Sequence, residues 1–298
     1  MIKRTLYFGN PAYLSVKNRQ LAIKRPDHEM DHTIPIEDIG VVVADHQQIT
    51  MTHAVVTSLQ ENNAVIIWCG SNHMPISMSL PVTAHTTQSE NVRYQLEASE
   101  PLKKQLWKQT VTAKISNQAA ILKKMGLTSP HIEKMIPRIG SGDPDNYEGQ
   151  AAAIYWKALL DRYDVSRGRY EGGPNALFNY GYAILRAVIA RNLVGSGLLT
   201  VTGIHHTNKY NAYCLADDIM EPYRPVVDQY IMNYLEQLSD FDGELTKEDK
   251  AYLLQIPVLD ISIQGKTSPL MVGAQRTTAS LAACYQGKAR KILYPDVR

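Results

Sequence analysis

The chain has 298 residues, of which 44% are hydrophobic and 20% charged, with a formal net charge of +2. This composition is typical of a globular protein and excludes disordered and fibrous classes. No apolar run reaches the roughly 18 residues of a membrane helix, and the N-terminus lacks the apolar stretch of a secretory signal. The three cysteines are far apart, which argues against a disulfide framework or a cysteine-based zinc site and favours the reducing cytoplasm.

The first eighty residues have the pattern of β-strands. Short runs of β-branched and aromatic residues alternate with turn formers, and Lys17 to Arg19 has the composition of a hairpin turn. Thr50 or Thr52 can cap one helix that ends near Asn62. Strands are predicted at 5–8, 12–16, 40–44 and 64–69, with a hairpin over 16–23.

The pattern changes after residue 80. Residues 81–96 lose hydrophobic periodicity and are rich in Thr, Ser, Gln and Asn, which indicates a linker or boundary. Helices are predicted at 101–124, 130–139, 143–160, 173–193, 213–238 and 269–288. The fold class is therefore α+β, with a small β-rich domain over 1–80, a linker over 81–96 and a larger all-helical domain over 97–298.

Glu148 lies near the start of a predicted helix, which Asp143 is expected to cap. Small residues follow it at Gly149 and at 151–153, so another backbone or a bulky substrate can approach the carboxylate. The alternative is an exposed helical glutamate beside a favourable helix dipole.

Two adjacent histidines, His205 and His206, fall in a predicted loop shortly after Gly203. Loops are where binding and catalytic residues concentrate. Adjacent side chains in an extended segment point to opposite faces, so we expect one of the two to be a ligand. A hydrogen-bonded structural histidine is the alternative for either.

An acidic cluster follows at Asp217, Asp218 and Glu221, near the start of a predicted helix. Asp218 and Glu221 are three residues apart and share a helical face, so the two carboxylates can serve one cation. Pro222 and Pro225 are expected to kink or delay this helix. The alternative is an acidic first turn that complements the helix dipole.

Glutamate, histidine and a further carboxylate together form a ligand set for a divalent metal. Carboxylates suit Mg²⁺ and Mn²⁺, and an imidazole favours Mn²⁺. Metals held in this way commonly serve phosphoryl chemistry, so the sequence suggests an enzyme that acts on phosphodiesters. Whether the three segments converge does not follow from their spacing.

Basic residues are concentrated between Lys103 and Arg138, where eight Lys and Arg side chains stand against Glu133 alone. Such an excess is a plausible footprint for a phosphate backbone. A solvated helix face is the alternative.

Several motifs together resemble a known family. They are Arg4-Thr5-Leu6-Tyr7-Phe8, Tyr147-Glu148-Gly149-x-Ala151-Ala152, 173–177 leading to 179–182, Gly203-x-x-His206 and 215–225. In this order, across nearly the whole chain, they resemble the type II branch of the CRISPR-associated protein one family, the integrases of CRISPR spacer acquisition.

The resemblance implies a fold, a reaction and partners. It implies an N-terminal β domain that dimerises and a C-terminal helical domain. The implied homodimers flank a dimer of the small CRISPR-associated protein two in a heterohexamer. They bind double-stranded prespacer DNA and CRISPR repeat DNA in the bacterial cytoplasm, without a membrane. The type II effector nuclease is a further candidate partner.

The resemblance also assigns residues. It implies that Glu148, His206 and Glu221 are the catalytic residues and hold Mg²⁺ or Mn²⁺, with Asp218 an additional acidic residue. His205 is the less favoured alternative to His206. The implied reaction joins a DNA 3′-OH to a phosphodiester at the repeat by transesterification.

Four basic residues near the motifs are candidate DNA contacts, with a solvated or salt-bridged surface as the alternative. They are Arg162, Arg167, Lys209 and Arg224. Two other functions remain open: a hydrolytic metal-dependent DNase that acts on branched DNA, and a non-catalytic DNA-binding scaffold.

Overall fold

A computed structural model of the chain describes residues 3–26, 32–127, 130–161, 167, 173–238, 241 and 243–297. The N-terminal part is rich in strands, as expected. Its elements are β1 (Arg4–Phe8), β2 (Ala12–Lys17), β3 (Gln20–Lys24), β4 (His32–Pro35), β5 (Ile39–Ala44), β6 (Ile49–Met51), α1 (His53–Glu61), β7 (Val65–Cys69) and β8 (Pro75–Ser79).

These strands form two sheets. The first has the order β1-β5-β7-β8, with β1, β5 and β7 parallel and β8 antiparallel at the edge. The second has the order β4-β3-β2-β6. The predicted hairpin is confirmed, because β2 and β3 pair antiparallel around Asn18 and Arg19. Both turn residues have positive φ angles, 51° and 60°, as a type I′ hairpin turn requires.

The first sheet is buried on both faces. Val42 and Ile66 point to a core shared with α1 and the second sheet. Val41 and Val43 point to the opposite side, into the core formed by the helices. Central strands covered on both faces are continuous apolar runs, which explains why β5 is buried along its whole length. The β-rich part therefore shares its core with the helical part.

The rest of the chain is mainly helical. Its elements are α2 (Gln88–Leu96), α3 (Glu100–Lys124), α4 (Pro130–Met135), α5 (Tyr147–Leu160), α6 (Asn175–Gly195), α7 (Cys214–Met220), α8 (Arg224–Leu235), α9 (Lys247–Leu253), β9 (Asp260–Ile263), β10 (Lys266–Pro269) and α10 (Leu270–Tyr285). Across the described ranges, no helix has the length and apolar character needed to cross a membrane.

Two parts of the helical region differ from the sequence interpretation. The stretch 81–96, interpreted as a linker, contains α2. This helix is held by hydrogen bonds of buried side-chain amides and not by apolar contacts, so it shows no hydrophobic periodicity. Asn91 donates to the carbonyl of Ser196 at 3.0 Å, and Gln95 to that of Leu199 at 3.0 Å. The region expected to be all-helical also contains the β9–β10 hairpin, whose turn has positive φ angles at Gln264 and Gly265.

Two prolines divide the predicted helix 213–238. A 3₁₀ turn at Glu221–Tyr223 separates α7 from α8, and Pro222 and Pro225 each lie in the first turn of the segment that they begin. Proline lacks the amide hydrogen that a helix interior needs, so the chain changes helical type there. The kink expected from the sequence is confirmed, and it sets the direction of Glu221.

A buried ion pair joins the sheet to the helical part. The Asp45 carboxylate, just after β5, has a fully buried side chain. It accepts the Lys250 ammonium of α9 at 2.8 Å and the Tyr7 hydroxyl at 2.6 Å. The imidazole Nδ1 of His73 lies 2.9 Å from its other oxygen. Four distant segments therefore meet at one carboxylate.

We expect the substitution Lys250→Met to lower the free energy of unfolding by about 3–5 kcal/mol, because it leaves the Asp45 charge buried without its cation. Urea unfolding measures this loss. Lys247→Met is the control, since this exposed lysine of the same helix contacts only the Asn10 side chain. Equal stability of the two variants would show that the buried pair does not join the two parts.

Candidate active site

Glu148 is held at the start of α5 by two caps. Asn146 is the N-cap residue, in the left-handed region at φ 54°, and accepts the amide of Gly149 at 3.2 Å. The Asp143 carboxylate accepts the amides of Tyr147 at 3.0 Å and Glu148 at 2.9 Å. The helix begins later than the sequence indicated, yet Asp143 still binds its free amides. These caps fix the backbone from which Glu148 projects.

The histidine loop is organised by Asp218, whose side chain is fully buried. This carboxylate accepts three backbone amides, those of Ile204, His205 and His206, at 2.6, 3.0 and 3.2 Å. Its Oδ1 also lies 2.5 Å from Nδ1 of His206. Asp218 therefore fixes the imidazole through Nδ1 and leaves Nε2 as the nitrogen available to a metal or substrate.

Gly203 is required by close packing in this loop. A Cβ atom there would lie 2.3 Å from the carbonyl oxygen of His206 and 2.8 Å from Oδ2 of Asp218. No side chain fits at such distances, so only glycine allows the loop to fold onto the carboxylate. This gives a physical reason for the Gly203-x-x-His206 spacing.

The hydrogen bond to Asp218 raises the pKa of His206 above its ordinary value, although burial acts in the opposite direction. A carboxylate behind an imidazole stabilises the protonated ring and makes the neutral ring a better ligand.

Asp217, the other aspartate of the cluster, instead pairs with Arg186 at 2.7 Å and accepts the side-chain amide of Asn211 at 2.7 Å.

Trp107 of α3 contacts both histidines, a role that the sequence analysis missed. Its ring stacks on that of His205, with centroids 4.2 Å apart and planes within 2°. It meets the His206 ring edge-on at 5.9 Å. The ring of His205 is thus occupied by stacking, whereas Asp218 holds that of His206. A single tryptophan among lysines and glutamines gives no signal for such a contact.

Lys114 connects the two candidate glutamates. Its ammonium forms ion pairs with Oε1 of Glu148 and, at 2.6 Å, with Oε2 of Glu221. The side chains of Lys114 and Glu221 are 7% and 6% exposed. The other oxygen of Glu221 pairs with Arg224 at 3.2 Å. Lys114 belongs to the basic stretch, yet it faces the interior, two turns after Trp107 on one face of α3.

Neighbouring side chains of opposite charge keep Glu221 and Lys114 ionised although both are buried. Burial alone would raise the pKa of Glu221, but the charges of Arg224 and Lys114 outweigh it and hold the pKa below its ordinary value. Burial alone would lower the pKa of Lys114, but Glu221 and Glu148 reverse this and raise it. The centre is therefore a set of two anions and two cations, in which Glu221 and Lys114 are buried and Glu148 and Arg224 are each 28% exposed.

The donor set fits a divalent metal. Two carboxylates from distant segments converge on one cation, the Lys114 ammonium, and His206 has its second nitrogen free of Asp218. In the described residues, no three His, Cys, Asp or Glu side chains are close enough together to hold a metal as they stand. A metal at Glu148 and Glu221 therefore requires Lys114 to move away from one or both.

An aromatic layer supports Arg224. Its guanidinium lies 4.7 Å from the centre of the Tyr182 ring. The Tyr182 hydroxyl donates to the buried Asp228 carboxylate at 2.5 Å, and Tyr155 donates to its other oxygen at 3.0 Å. The position of Glu221 thus depends, through Arg224, on how Tyr182 of α6 packs and bonds to Asp228.

The four candidate DNA contacts have different surroundings. Arg162 lies outside the described residues. Arg167 donates to the side chains of Asn175 and Asn179 and packs against aromatic rings. Arg224 is directed at Glu221. Lys209 lies on the histidine loop, with its ammonium 4.9 Å from the ring centre of Tyr210, which is 85% exposed.

Comparisons with known proteins show which family this chain resembles. The profile of the family described as CRISPR associated protein Cas1 matches residues 6–261. CRISPR-associated endonuclease Cas1 of Neisseria meningitidis serogroup C (strain 8013) is 33% identical over 300 residues, which cover 100% of this chain and 97% of that protein.

Solved structures share the fold. A casposase bound to integration product has a TM-score of 0.81 at 19% identity, over 98% of this chain and 92% of that chain. A Cas6-RT-Cas1–Cas2 complex has a TM-score of 0.75 at 20% identity, over 97% of this chain and 35% of that chain.

The chain is therefore an α+β protein, with a sheet region followed by a helical region and a polar centre in the helical part, where Glu148 and Glu221 pair with one lysine and Asp218 holds His206. The match over most of its length identifies the family: the chain belongs to the Cas1 family of CRISPR-associated proteins. The resemblance to this family seen in the motifs is confirmed, and its type II branch stays a prediction.

We expect Lys114→Met to destabilise the metal-free protein by about 3–5 kcal/mol, because the buried Glu221 and the partly exposed Glu148 then lose their shared cation. Mn²⁺ should restore much of the melting temperature by binding the folded state alone. Thermal unfolding with and without MnCl₂ measures both effects. Lys124→Met, an exposed site on the same helix, is the control. A metal-free melting temperature equal to that of the control would contradict this role.

We expect Asp228 to make stability depend on pH. Burial raises its pKa from 3.8 to about 7, so the folded state retains a proton that the unfolded state releases. The contribution of this group to stability therefore falls as pH rises through that window. Urea unfolding at about pH 5 and about pH 8 should show Asp228→Asn gaining stability relative to the wild type as pH rises. Parallel pH profiles would contradict this expectation.

Proposed function

We propose that this Cas1 protein is a metal-dependent DNA integrase of CRISPR adaptation, which joins prespacer 3′-OH ends to phosphodiesters at the CRISPR repeat by transesterification. The observation that carries the proposal is the convergence of Glu148 and Glu221 on one buried cation, in the part of the fold that holds His206. The names of the similar proteins support it, since one is a CRISPR-associated endonuclease and another a casposase bound to integration product.

Glu148, Glu221 and Nε2 of His206 would hold Mg²⁺ or Mn²⁺. When bound, the metal would supply Lewis-acid neutralisation of charge on the scissile phosphate. Oxygen ligands suit both ions, and the imidazole favours Mn²⁺.

The protein's own side chains orient the site and supply charge. Asp218 holds the His206 ring through Nδ1, so its rotation is fixed before DNA binds. Arg224 keeps Glu221 ionised and places positive charge beside the carboxylates. Lys114, once released from one glutamate, carries an ammonium that can meet a phosphate oxygen. Preorganised charges of this kind stabilise a transition state in which negative charge develops.

The attacking group in the proposed reaction comes from the DNA, so the protein mainly has to position two DNA segments. Lys209 and the exposed Tyr210 on the histidine loop offer a charge and a stacking surface at the edge of the site. Exposed lysines of α3, such as Lys104 and Lys124, extend positive charge along the helix that carries Lys114.

The proposed partners are a second copy of this chain, a Cas2 dimer, prespacer DNA, repeat DNA and the type II effector nuclease. The similar Cas6-RT-Cas1–Cas2 complex supports the Cas2 partner. The proposed location is the bacterial cytoplasm.

A hydrolytic DNase is the second candidate, because the same ligands can activate water instead of a 3′-OH. The similarity to a structure bound to integration product favours strand transfer. Product analysis separates the two: joined strands indicate transfer and shortened fragments indicate hydrolysis.

We expect Glu148→Gln, His206→Ala and Glu221→Gln each to reduce strand transfer more than about 100-fold, since even the partners of metal ligands contribute about 10–100-fold. The measurement is integration of a labelled duplex into a supercoiled repeat plasmid with Cas2 and Mn²⁺.

The matched control is His205→Ala, which we expect to keep most of the activity. Circular dichroism and size-exclusion chromatography check that each variant is folded. Full activity in folded His206→Ala, together with loss in His205→Ala, would reverse the assignment of the histidine.

A further inference from the structure

A polar cavity lies where the β-rich part meets the helices. Its volume is about 310 Å³, at the low end of small-molecule sites. Lys3, at the start of β1, and Arg191, near the end of α6, provide its charges. Asn62, Asn192 and Gln275 provide side-chain amides from α1, α6 and α10. The residues of the candidate active site do not line it.

Arg191 is buried with most of its donors unused. It is 8% exposed, and its Nε donates to the backbone carbonyl of Asn63. A guanidinium has five N–H donors, so four remain on the two terminal nitrogens. Among the residues that the structure describes, none forms an ion pair with Arg191. A buried guanidinium without a carboxylate is unusual, because burial of an unpaired charge is costly.

Lys3 adds a second cation to the same cavity. Its ammonium donates to the carbonyl of Asn62 at 2.9 Å, which leaves two of its three N–H donors. The nearest acidic residues are Glu37 and Asp38, and neither is within ion-pair distance in the described structure. Burial lowers the pKa of Lys3, and the charge of Arg191 lowers it further.

Contacts with the C-terminal end of α1 explain part of why two cations lie together in this cavity. Asn62 and Asn63 follow α1, so the two cations bind carbonyl groups at the negative end of the helix dipole. Each cation forms one carbonyl hydrogen bond, and among the described residues neither forms an ion pair; Asp38 and Glu37 act on the charge of Lys3 only from beyond ion-pair distance. Burial alone also lowers the pKa of Arg191, with no anion acting against it.

We propose that this cavity is an anion site for a phosphate group, held by Arg191 and Lys3. The planar guanidinium matches phosphate oxygens in a bidentate manner, and the ammonium adds a point charge. The second amide hydrogen of Asn62, whose first binds the carbonyl of Ser58, and the amide of Gln275 can complete the hydrogen bonds. The phosphate can come from a small molecule, such as a mononucleotide, or from the backbone of a DNA strand.

The test is phosphate binding by the full-length protein, measured by isothermal titration calorimetry at constant ionic strength without divalent metal. Inorganic phosphate should bind with one site for each chain. Lys3→Gln and Arg191→Gln should each weaken binding at least about tenfold, as loss of a charged hydrogen bond predicts. Lys3→Gln serves if Arg191→Gln fails to fold, because Lys3 is only half-buried.

Arg276→Gln is the matched control, since this arginine of α10 also donates to a backbone carbonyl, that of Ile263, and lies outside the cavity. It should bind phosphate as the wild type does. The proposal is overturned if the wild type shows no saturable binding, or if Lys3→Gln keeps the wild-type affinity.

Two further arms identify the source of the phosphate. A deoxynucleoside 5′-monophosphate that binds as phosphate does, with no competition from a single-stranded oligonucleotide, indicates a small molecule. Competition by the oligonucleotide that is lost in Lys3→Gln indicates a DNA phosphate. Glu148→Gln should leave phosphate binding unchanged, so this test is independent of the integrase proposal.

Discussion

Two carboxylates, the buried Glu221 and the partly exposed Glu148, share one buried cation, and the rest of the site depends on this constraint. Glu148 and Glu221 come from segments more than seventy residues apart, and their charges repel at short distance in a poorly solvated centre. Lys114 and Arg224 offset this repulsion, and an unpaired charge there would cost several kcal/mol. The aromatic layer that contacts Arg224 holds this side chain in position, and the caps of α5 do the same for Glu148.

The centre is built around α3, the long helix that carries Trp107 and Lys114 on one face. Trp107 supports the histidine loop from one side, and Asp218 holds it from the other. The loop is thus held on two sides although it has no regular secondary structure, as a preorganised site requires. The same principle, a buried charge with partners from several segments, joins the two parts of the chain at Asp45.

The strands β1, β2, β5 and β7, the β2–β3 hairpin and the proline break before α8 could be predicted from sequence, because each depends on local periodicity or on a residue with restricted φ. The short strands β4, β6 and β8 were not predicted. Glu148, His206 and Glu221 could be named only as a family pattern, since spacing does not show convergence. Lys114 was counted with a basic surface, because a lysine amid mixed polar and apolar residues gives no sign that it faces inward. Helix α2 was missed for a related reason: Asn91 and Gln95 are buried by partners over a hundred residues away.

The central claim is that Glu148, His206 and Glu221 bind one divalent metal, which replaces Lys114 between the carboxylates. Pulsed electron paramagnetic resonance of the Mn²⁺-loaded protein tests it most directly. The account predicts one Mn²⁺ for each chain with coupling to a ligand nitrogen, a coupling lost in His206→Ala and kept in His205→Ala, and weaker Mn²⁺ binding in Glu148→Gln and Glu221→Gln. An unchanged nitrogen coupling in folded His206→Ala, or unchanged affinity in both glutamate variants, would contradict it.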